Sequence, residues 1–256
     1  FSNLTLKSNF ISDVIYSIDP VCDDDENEDG IHLFNLKDAN IPITITQEIK
    51  YYLTENDALL EKNQIEAPAS YHNQIPYNQI IFARIEEENN CYGISKIKLE
   101  VKKLPNIETN ATSNVCDNNP SYFAHLNSGI LDNVEQIDDY SFIWKKDNIE
   151  IMNKTSPTLD VNIAGIYTVT IKNKFNCLKT RTIDVTPSSN ATFESIDITD
   201  LQIDDSNKIT INVSGKGKYE YGLNAPNGPF QDSNIFNNIP SGIHDLYIND
   251  ENGCGI

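Results

Sequence analysis

The sequence predicts an all-β protein built from tandem β-sandwich modules that follow one another in a rod-like array. Residues that favour strands are plentiful over the 256 positions, and helix signals are scarce. A polar turn that contains a cysteine, next to strands of alternating hydrophobicity, also occurs three times. Isoleucine, valine, threonine, tyrosine and phenylalanine pack well on a pleated surface. Strand pairs that recur at domain-sized spacing are typical of sandwich arrays.

The cysteine-containing turns and the linkers between strands define the modules. The turns lie at 88–91, 173–177 and 250–254. Proline and polar residues at 103–106 and 186–189 end a strand and are interpreted as linkers. Both ends of the chain give the impression of a cut, so residues 1–20 are interpreted as the end of a preceding module or a linker strand. The predicted modules are 21–104, 105–187 and 188–256, the last of them truncated at its final hairpin.

The middle module carries the strongest fold signal. Trp144 lies in a predicted strand, and a Gly-x-Tyr-x-Val-x-Ile strand follows at 165–171. This pair is typical of the core of an immunoglobulin-like sandwich, so residues 105–187 are predicted to form an immunoglobulin-like or PKD-like module. We interpret Trp144 as a core residue. One short helical turn is expected after Thr54, a residue that caps helices well.

Charge and motifs exclude several classes of function. The formal net charge of −19 would repel a nucleic-acid backbone or an anionic membrane surface. No segment approaches the roughly 20 apolar residues of a membrane span. The GxSxG, HExxH, P-loop and GxGxxG motifs do not occur, and the four histidines are widely scattered. The sequence therefore predicts no enzyme, no catalytic residue and no nucleic-acid partner.

An acidic stretch, Asp-Asp-Asp-Glu-Asn-Glu-Asp-Gly at 23–30, is the most distinctive local motif. Oxygen-bearing side chains alternate before Gly30, as they do at the start of a calcium loop. The bidentate glutamate of an EF-hand is missing, because Leu36 stands at its position. A looser calcium site is one interpretation, and a solvated acidic turn is the other. The predicted ligands are Asp23, Asp25, Asn27 and Asp29.

The five cysteines include no CxxC pair, which argues against a zinc knuckle and a thioredoxin-type motif. Two disulfides, each inside one module, are expected: Cys22 and Cys91 fall in the first module, and Cys116 and Cys177 fall in the second. The partner of Cys254 stays open. This interpretation implies an oxidising compartment. The alternative is five buried free thiols.

Short motifs in all three modules are similar to those of a known class of proteins. They are found at 21–25, 50–58, 81–84 and 90–92 in the first module, at 140–146 and 176–177 in the second, and at 219–223, 228–234 and 252–254 in the third. The chain thereby resembles the repeats of large flavobacterial (Bacteroidetes) cell-surface proteins of the gliding-motility-associated class, which carry a type IX secretion, type B sorting domain.

The resemblance implies export across the outer membrane and a place outside the cell or on its outer-membrane surface. The sorting domain of this class would follow residue 256, and through it the chain would meet the type IX secretion machinery. The family implies no catalytic residues. The expected function is thus a non-catalytic structural or adhesive stalk, with surface polysaccharide or other cell-surface proteins as partners and calcium as the only cofactor. The alternative is an accessory or carbohydrate-binding region of a secreted multidomain hydrolase.

Overall fold

The computed structural model describes residues 11–25, 27–88, 90–131, 134–199 and 207–256, and in these ranges the chain is built almost entirely of β-strands. The all-β prediction is confirmed. In the described ranges, one short α-helix, α1, spans Glu55–Leu60, and three 3-10 turns span Leu36–Ala39, Pro68–Ser70 and Val134–Asp139. The strands are β1 (Ile11–Ser17), β2 (Val21–Cys22), β3 (Leu33–Phe34), β4 (Gln47–Tyr52), β5 (Tyr71–His72), β6 (Asn78–Glu87), β7 (Asn90–Lys102), β8 (Asn110–Cys116), β9 (Ala124–Asn127), β10 (Ser141–Lys146), β11 (Ile149–Glu150), β12 (Thr158–Val161), β13 (Gly165–Lys172), β14 (Leu178–Ser188), β15 (Thr192–Thr199), β16 (Asn207–Ser214), β17 (Tyr219–Leu223), β18 (Ile235–Ile239) and β19 (Leu246–Asp250).

The chain divides into two compact units. Unit 1 comprises the described residues up to Pro105 together with the short segment Lys174–Cys177, and unit 2 comprises Asn106–Asn173 and Leu178–Ile256. Unit 1 thus takes in a piece of the hairpin loop between β13 and β14. The rod-like array and the division of unit 2 at residues 187 and 188 stay predictions.

Unit 1 is organised around one sheet with the strand order β1-β7-β6-β4, to which β2 adds by pairing with β7. β6 and β7 form the long antiparallel hairpin at its centre. Burial alternates along both strands, so that Ile81 and Ala83 on β6 and Ile97 and Leu99 on β7 lie on one face. Loop residues that include Leu36 pack on this face and complete the core.

The strand β1 belongs to the sheet of unit 1, because it pairs in parallel with β7 and places Tyr16 opposite Ile97. Ile18, which follows β1, is buried in the same core. The assignment of residues 1–20 to a preceding module or a linker is therefore wrong for residues 11–20. Residues 1–10 lie outside the described part of the chain. A parallel partner about 80 residues away leaves no local mark in sequence, because parallel strands need a long connection.

The second face of the unit 1 sheet is covered by α1. Thr54 caps this helix as predicted, its side-chain oxygen accepting a hydrogen bond from the backbone N–H of Asp57 at 3.0 Å. Ala58 of the helix is fully buried and packs with Tyr52 and Ile94 in a small second core.

Two charged residues of β6, Arg84 and Glu86, are buried on the face of the sheet that α1 covers. Arg84 Nε donates a hydrogen bond to Glu86 Oε1 at 2.6 Å, and Lys50 Nζ donates to Glu86 Oε2 at 2.5 Å. Arg84 also donates to the carbonyl oxygen of Ala58 at 2.9 Å and to the Glu61 carboxylate at 2.5 Å. The guanidinium thus holds the last turn of α1, whose carbonyl groups lack partners within the helix.

The first half of unit 2 is a two-sheet sandwich. One sheet has the order β11-β10-β13-β14-β8, with β8 parallel to β14, and the other pairs β9 with β12. Trp144 is fully buried between them, and its indole N–H donates to the carbonyl oxygen of Ser156 at 2.8 Å. The Tyr167 hydroxyl donates to the carbonyl oxygen of Ile163 at 2.9 Å, which is the tyrosine corner of immunoglobulin-like folds. The predicted immunoglobulin-like sandwich and the core role of Trp144 are confirmed.

One departure from antibody domains bears on the cysteines. Antibody domains carry the inter-sheet cysteine two residues after the corner tyrosine. Here Val169 occupies that position and is fully buried in the core. The core of this module is therefore free of sulfur in the described residues, and its cysteines lie elsewhere.

The second half of unit 2 combines the three-stranded sheet β15-β16-β18 with the pair β17-β19. Its core is small, because four buried side chains form it among the described residues: Ile209, Ile211, Tyr221 and Ile239. The edge strand β15 is exposed along its whole length. A core of this size gives a module little stability of its own, so further ties are needed.

Candidate functional site

The first of two disulfides joins Cys22, the last residue of β2, to Cys177, which lies 155 residues later in the loop between β13 and β14. The two Cα atoms are 5.5 Å apart, within the usual range for disulfides. The segment around Cys177 is also anchored within unit 1 by Phe175, whose ring lies under the Lys102 ammonium at 4.3 Å. This disulfide therefore fixes a piece of the middle module's hairpin loop to unit 1.

The second disulfide joins Cys116, the last residue of β8, to Cys254 in the turn after β19. The two cysteines are 138 residues apart in sequence, and both are buried. This disulfide links the first strand of the immunoglobulin-like module to the last turn of the third module inside unit 2.

The predicted pairing of cysteines within modules is therefore wrong. Cys22 pairs with Cys177 and not within the first module, Cys116 pairs with Cys254, and Cys91 is a free thiol. Cys91 lies on β7 beside α1 and forms no disulfide in the described part of the chain. Sequence shows only that cysteines lie in similar turns, and connectivity cannot be deduced from such positions.

A buried carboxylate, Asp250, organises the turn that carries Cys254. It accepts hydrogen bonds from the Ser188 hydroxyl at 2.7 Å, from the backbone N–H of Lys218 at 3.1 Å and from the backbone N–H of Cys254 at 3.2 Å. Asn252 adds a further bond to the Ser188 hydroxyl at 3.1 Å. Ser188 ends β14 and Asp250 ends β19, so the carboxylate joins the immunoglobulin-like module to the third module beside their disulfide. Sequence reasoning missed this role, although the Asp-Glu-Asn-Gly-Cys turn is the signal for it.

A cavity of about 420 Å³ lies beside the Cys116–Cys254 disulfide in unit 2. Its charged lining residues, Asp117 and Lys216, form an ion pair with each other. Next to it, the backbone N–H of Asn190 donates to the Asn118 side chain at 3.1 Å. These contacts hold the two modules of unit 2 together, and the paired charges leave the cavity no net charge with which to attract an ionic ligand.

The acidic turn of unit 1 is organised by Asp23, which is buried. Both oxygens of this carboxylate accept the backbone N–H of Gly30, at 3.0 and 3.1 Å, and thereby close the turn. Burial raises the pKa of Asp23, and the neighbouring charges of Asp25, Asp29 and Glu28 raise it further against the opposing effect of the Gly30 hydrogen bond. Asp23 thus has a structural role in this turn.

Two of the other predicted calcium ligands, Asp25 and Asp29, satisfy neighbouring backbone groups. Asp25 Oδ1 accepts the backbone N–H of Asn27 at 3.2 Å, and Asp29 Oδ1 accepts that of Ile31 at 2.9 Å. Among the described residues, which omit Glu26, no three histidine, cysteine, aspartate or glutamate side chains form a group that could hold a metal ion. Calcium binding at Asp23, Asp25, Asn27 and Asp29 stays a prediction.

Thermal melting of the whole chain tests the calcium prediction. A bound cation would stabilise the folded state by mass action, so the melting temperature of unit 1 should fall when a chelator replaces calcium. The Asp25→Ala, Asp29→Ala double variant should then melt alike in both buffers. Asp117→Ala, which removes an acidic residue of unit 2, is the matched control and should keep the calcium response. A wild-type melt that does not change in chelator would contradict the site.

The free thiol gives a direct test of the cysteine pairing. Burial raises the pKa of Cys91, so it stays protonated at neutral pH and reacts slowly. Alkylation of the denatured, unreduced chain should label Cys91 alone, and prior reduction should expose all five cysteines. Mass spectrometry of non-reduced peptides should find Cys22 with Cys177 and Cys116 with Cys254. A peptide that joins Cys22 to Cys91 would overturn the pairing.

Comparison with known proteins gives a family for part of the chain. Residues 19–105 match the family described as Flavobacterium inter-domain disulphide bond domain. Cys22 lies inside the matched residues, and its partner Cys177 lies outside them. The match supports a flavobacterial protein with immunoglobulin-like modules. No curated protein matches the chain.

Solved structures that align with the chain include tandem immunoglobulin domains. Titin domains A168–A170 share 14% identity over 82% of this chain and 85% of theirs, with a TM-score of 0.39. The titin I-band fragment I67–I69 shares 9% identity over 93% of both chains, with a TM-score of 0.34. Sidekick-1 immunoglobulin domains 1–4 share 10% identity over 94% of this chain and 75% of theirs, with a TM-score of 0.30.

In the described part of this chain, no helix has the length and apolar character of a membrane span.

Proposed function

We propose that the chain is a non-catalytic structural region of a secreted bacterial cell-surface protein, where it serves as a cross-linked stalk for adhesion or display. The observation that carries this proposal is the pair of disulfides that joins residues 155 and 138 positions apart. Such bonds constrain the chain as a whole and leave the core of the immunoglobulin-like module without a disulfide of its own.

The location follows from the chemistry of the disulfides. Disulfides persist in oxidising environments and are rare in reducing ones, so the two disulfides support an extracellular place. The net charge of −19 keeps such a chain in solution and argues against nucleic acid as a partner. We extend the proposal to the outer-membrane surface, with export by the type IX machinery and a role linked to gliding.

The partners proposed for the stalk are surface polysaccharide and other cell-surface proteins. The exposed edge strand β15 suits broad, weak contacts better than the enclosure of a small molecule. An accessory or carbohydrate-binding region of a secreted hydrolase is the competing function, and the experiment below separates the two.

Deletion of residues 11–256 in the producing bacterium tests the proposal. Antibodies raised against the chain should label intact wild-type cells, because the stalk is displayed outside the outer membrane. Cells with the in-frame deletion should attach less well to polysaccharide-coated surfaces while their secreted hydrolase activities are unchanged. Normal attachment together with a lost hydrolase activity would instead favour the accessory region, and absence of label on intact cells would overturn the surface location.

A further inference from the structure

The two disulfides are interlaced along the chain. Their cysteines occur in the order Cys22, Cys116, Cys177 and Cys254, with Cys22 joined to Cys177 and Cys116 joined to Cys254. The second loop therefore opens inside the first and closes beyond it. If each module carried its own internal disulfide, the two loops would follow one another along the chain. The stretch between them would then lie outside any closed loop.

Interlacing places every peptide bond between Cys22 and Cys254 inside at least one closed covalent loop. A cut between Cys22 and Cys116 is spanned by the first disulfide, and a cut between Cys177 and Cys254 is spanned by the second. A cut between Cys116 and Cys177 is spanned by both. No single cut in this region can divide the chain into two separate pieces.

We propose that the interlaced disulfides are a retention device that keeps the chain in one covalent piece after any single proteolytic cut between Cys22 and Cys254. The proposal rests on the proposed stalk function, because a displayed tip is lost when its stalk is severed. The device acts against extracellular proteases, which cleave exposed loop tips most readily. It needs no ligand and no contact beyond the two disulfides.

Each of the three segments between successive disulfide-bonded cysteines, 22–116, 116–177 and 177–254, offers an exposed turn that a protease can reach. Residues 61–63 follow α1 and are exposed, and so are residues 152–155 after β11 and residues 241–243 before β19. Residues 61–63 lie in the first disulfide loop only, residues 152–155 lie in both loops, and residues 241–243 lie in the second loop only. Residues 19–20 are also exposed and lie before Cys22, outside both loops.

The test uses the whole chain with an amino-terminal tag and one recognition sequence for a specific protease inserted in a single turn. Four versions place the site at 19–20, 61–63, 152–155 or 241–243. Each is cut, denatured without reductant and separated on a gel. We expect the tag to leave the chain only in the 19–20 version, and all three other versions to run as one piece until reductant is added.

Single cysteine variants give each site its own expected pattern. With Cys177→Ser, the chain cut at 61–63 should fall into two pieces, and the chain cut at 241–243 should stay whole. With Cys254→Ser the pattern should reverse. The chain cut at 152–155 should stay whole in either variant and separate only when both substitutions are combined. Cys91→Ser should change none of these patterns.

Separation of the otherwise wild-type chain after a cut at 61–63, 152–155 or 241–243 would overturn the proposal. The three sites are independent, so an insertion that prevents folding at one turn still leaves two tests. The free-thiol count before cutting shows whether each version carries both disulfides. The gel result does not depend on adhesion, so loss of the stalk function in the deletion experiment and loss of retention here are distinguishable.

Discussion

Replacing Cys254 with serine is expected to lower the free energy of unfolding of the third module by about 5 kcal/mol, because the Cys116–Cys254 disulfide closes a loop of 138 residues and restricts the unfolded chain. A loss of this size is a large part of the free energy of unfolding of most domains, and the third module has a small core. The variant should therefore unfold the third module near 37 °C while the immunoglobulin-like module stays folded around Trp144.

Hydrogen exchange measured by mass spectrometry reports the unfolding of the third module and that of the immunoglobulin-like module separately, within one chain. Peptides from β16 and β19 should lose protection in Cys254→Ser, and peptides from β10 and β13 should keep it. Cys91→Ser is the matched control, because it removes a cysteine that forms no disulfide, and it should leave β16 and β19 protected. Equal loss of protection in both variants would show that the disulfide does not stabilise the third module.

Replacing Glu86 with alanine is expected to cost unit 1 about 3 kcal/mol, the lower end of the range for breaking a buried ion pair, because Arg84 keeps the Glu61 carboxylate as a partner. The charge left behind is the guanidinium of Arg84, whose side chain is only 4% exposed. Arg84 also holds the last turn of α1, so that helix should loosen as well. Denaturant titration followed by hydrogen exchange on β6 and α1 measures both effects.

The control for this prediction is Glu48→Ala. Glu48 also lies near Lys50, at 3.4 Å, but its side chain is 62% exposed, and such surface pairs contribute about 0–1 kcal/mol. The two variants remove the same chemical group from neighbours of the same lysine and differ in burial. Equal losses would contradict the buried ion pair as the source of stability.

The acid dependence of unit 1 follows from the same glutamate. Burial raises the pKa of Glu86, but the hydrogen bonds from Lys50 and Arg84 outweigh it and hold the pKa below its usual range. A lowered folded-state pKa contributes stability above the unfolded value of about 4.3, and that contribution is lost as the pH falls through the folded pKa. Unit 1 should therefore lose stability below about pH 4 in the wild type and lose less in Glu86→Gln.

The strands and the immunoglobulin-like module were predictable because their signals are local. Trp144 and the alternation of Tyr167, Val169 and Ile171 report a buried face directly, since side chains alternate across a strand. Thr54 marks the start of α1 for a similar reason, because a cap acts on the next few residues. The hydrophobic period, the helix cap and the turn residues can each be recognised within about ten residues of sequence.

The features that escaped prediction depend on partners far along the chain. The pairing of Cys22 with Cys177 requires the β13–β14 loop to reach unit 1, and no local pattern encodes that. Arg84 and Glu86 alternate on β6 as solvent-facing residues would, and only the placement of α1 over them makes them buried. The predicted calcium ligand Asp23 is a buried closing group of its turn for the same reason: its environment comes from the fold.

Val169 stands where antibody domains carry an inter-sheet cysteine. Folding of the immunoglobulin-like module therefore does not require disulfide formation. The sandwich around Val169 can form while every thiol is still reduced, since none of its core contacts needs a sulfur bond. The fold of the immunoglobulin-like module is thus independent of oxidation, whereas the third module, with its small core, depends on the Cys116–Cys254 bond.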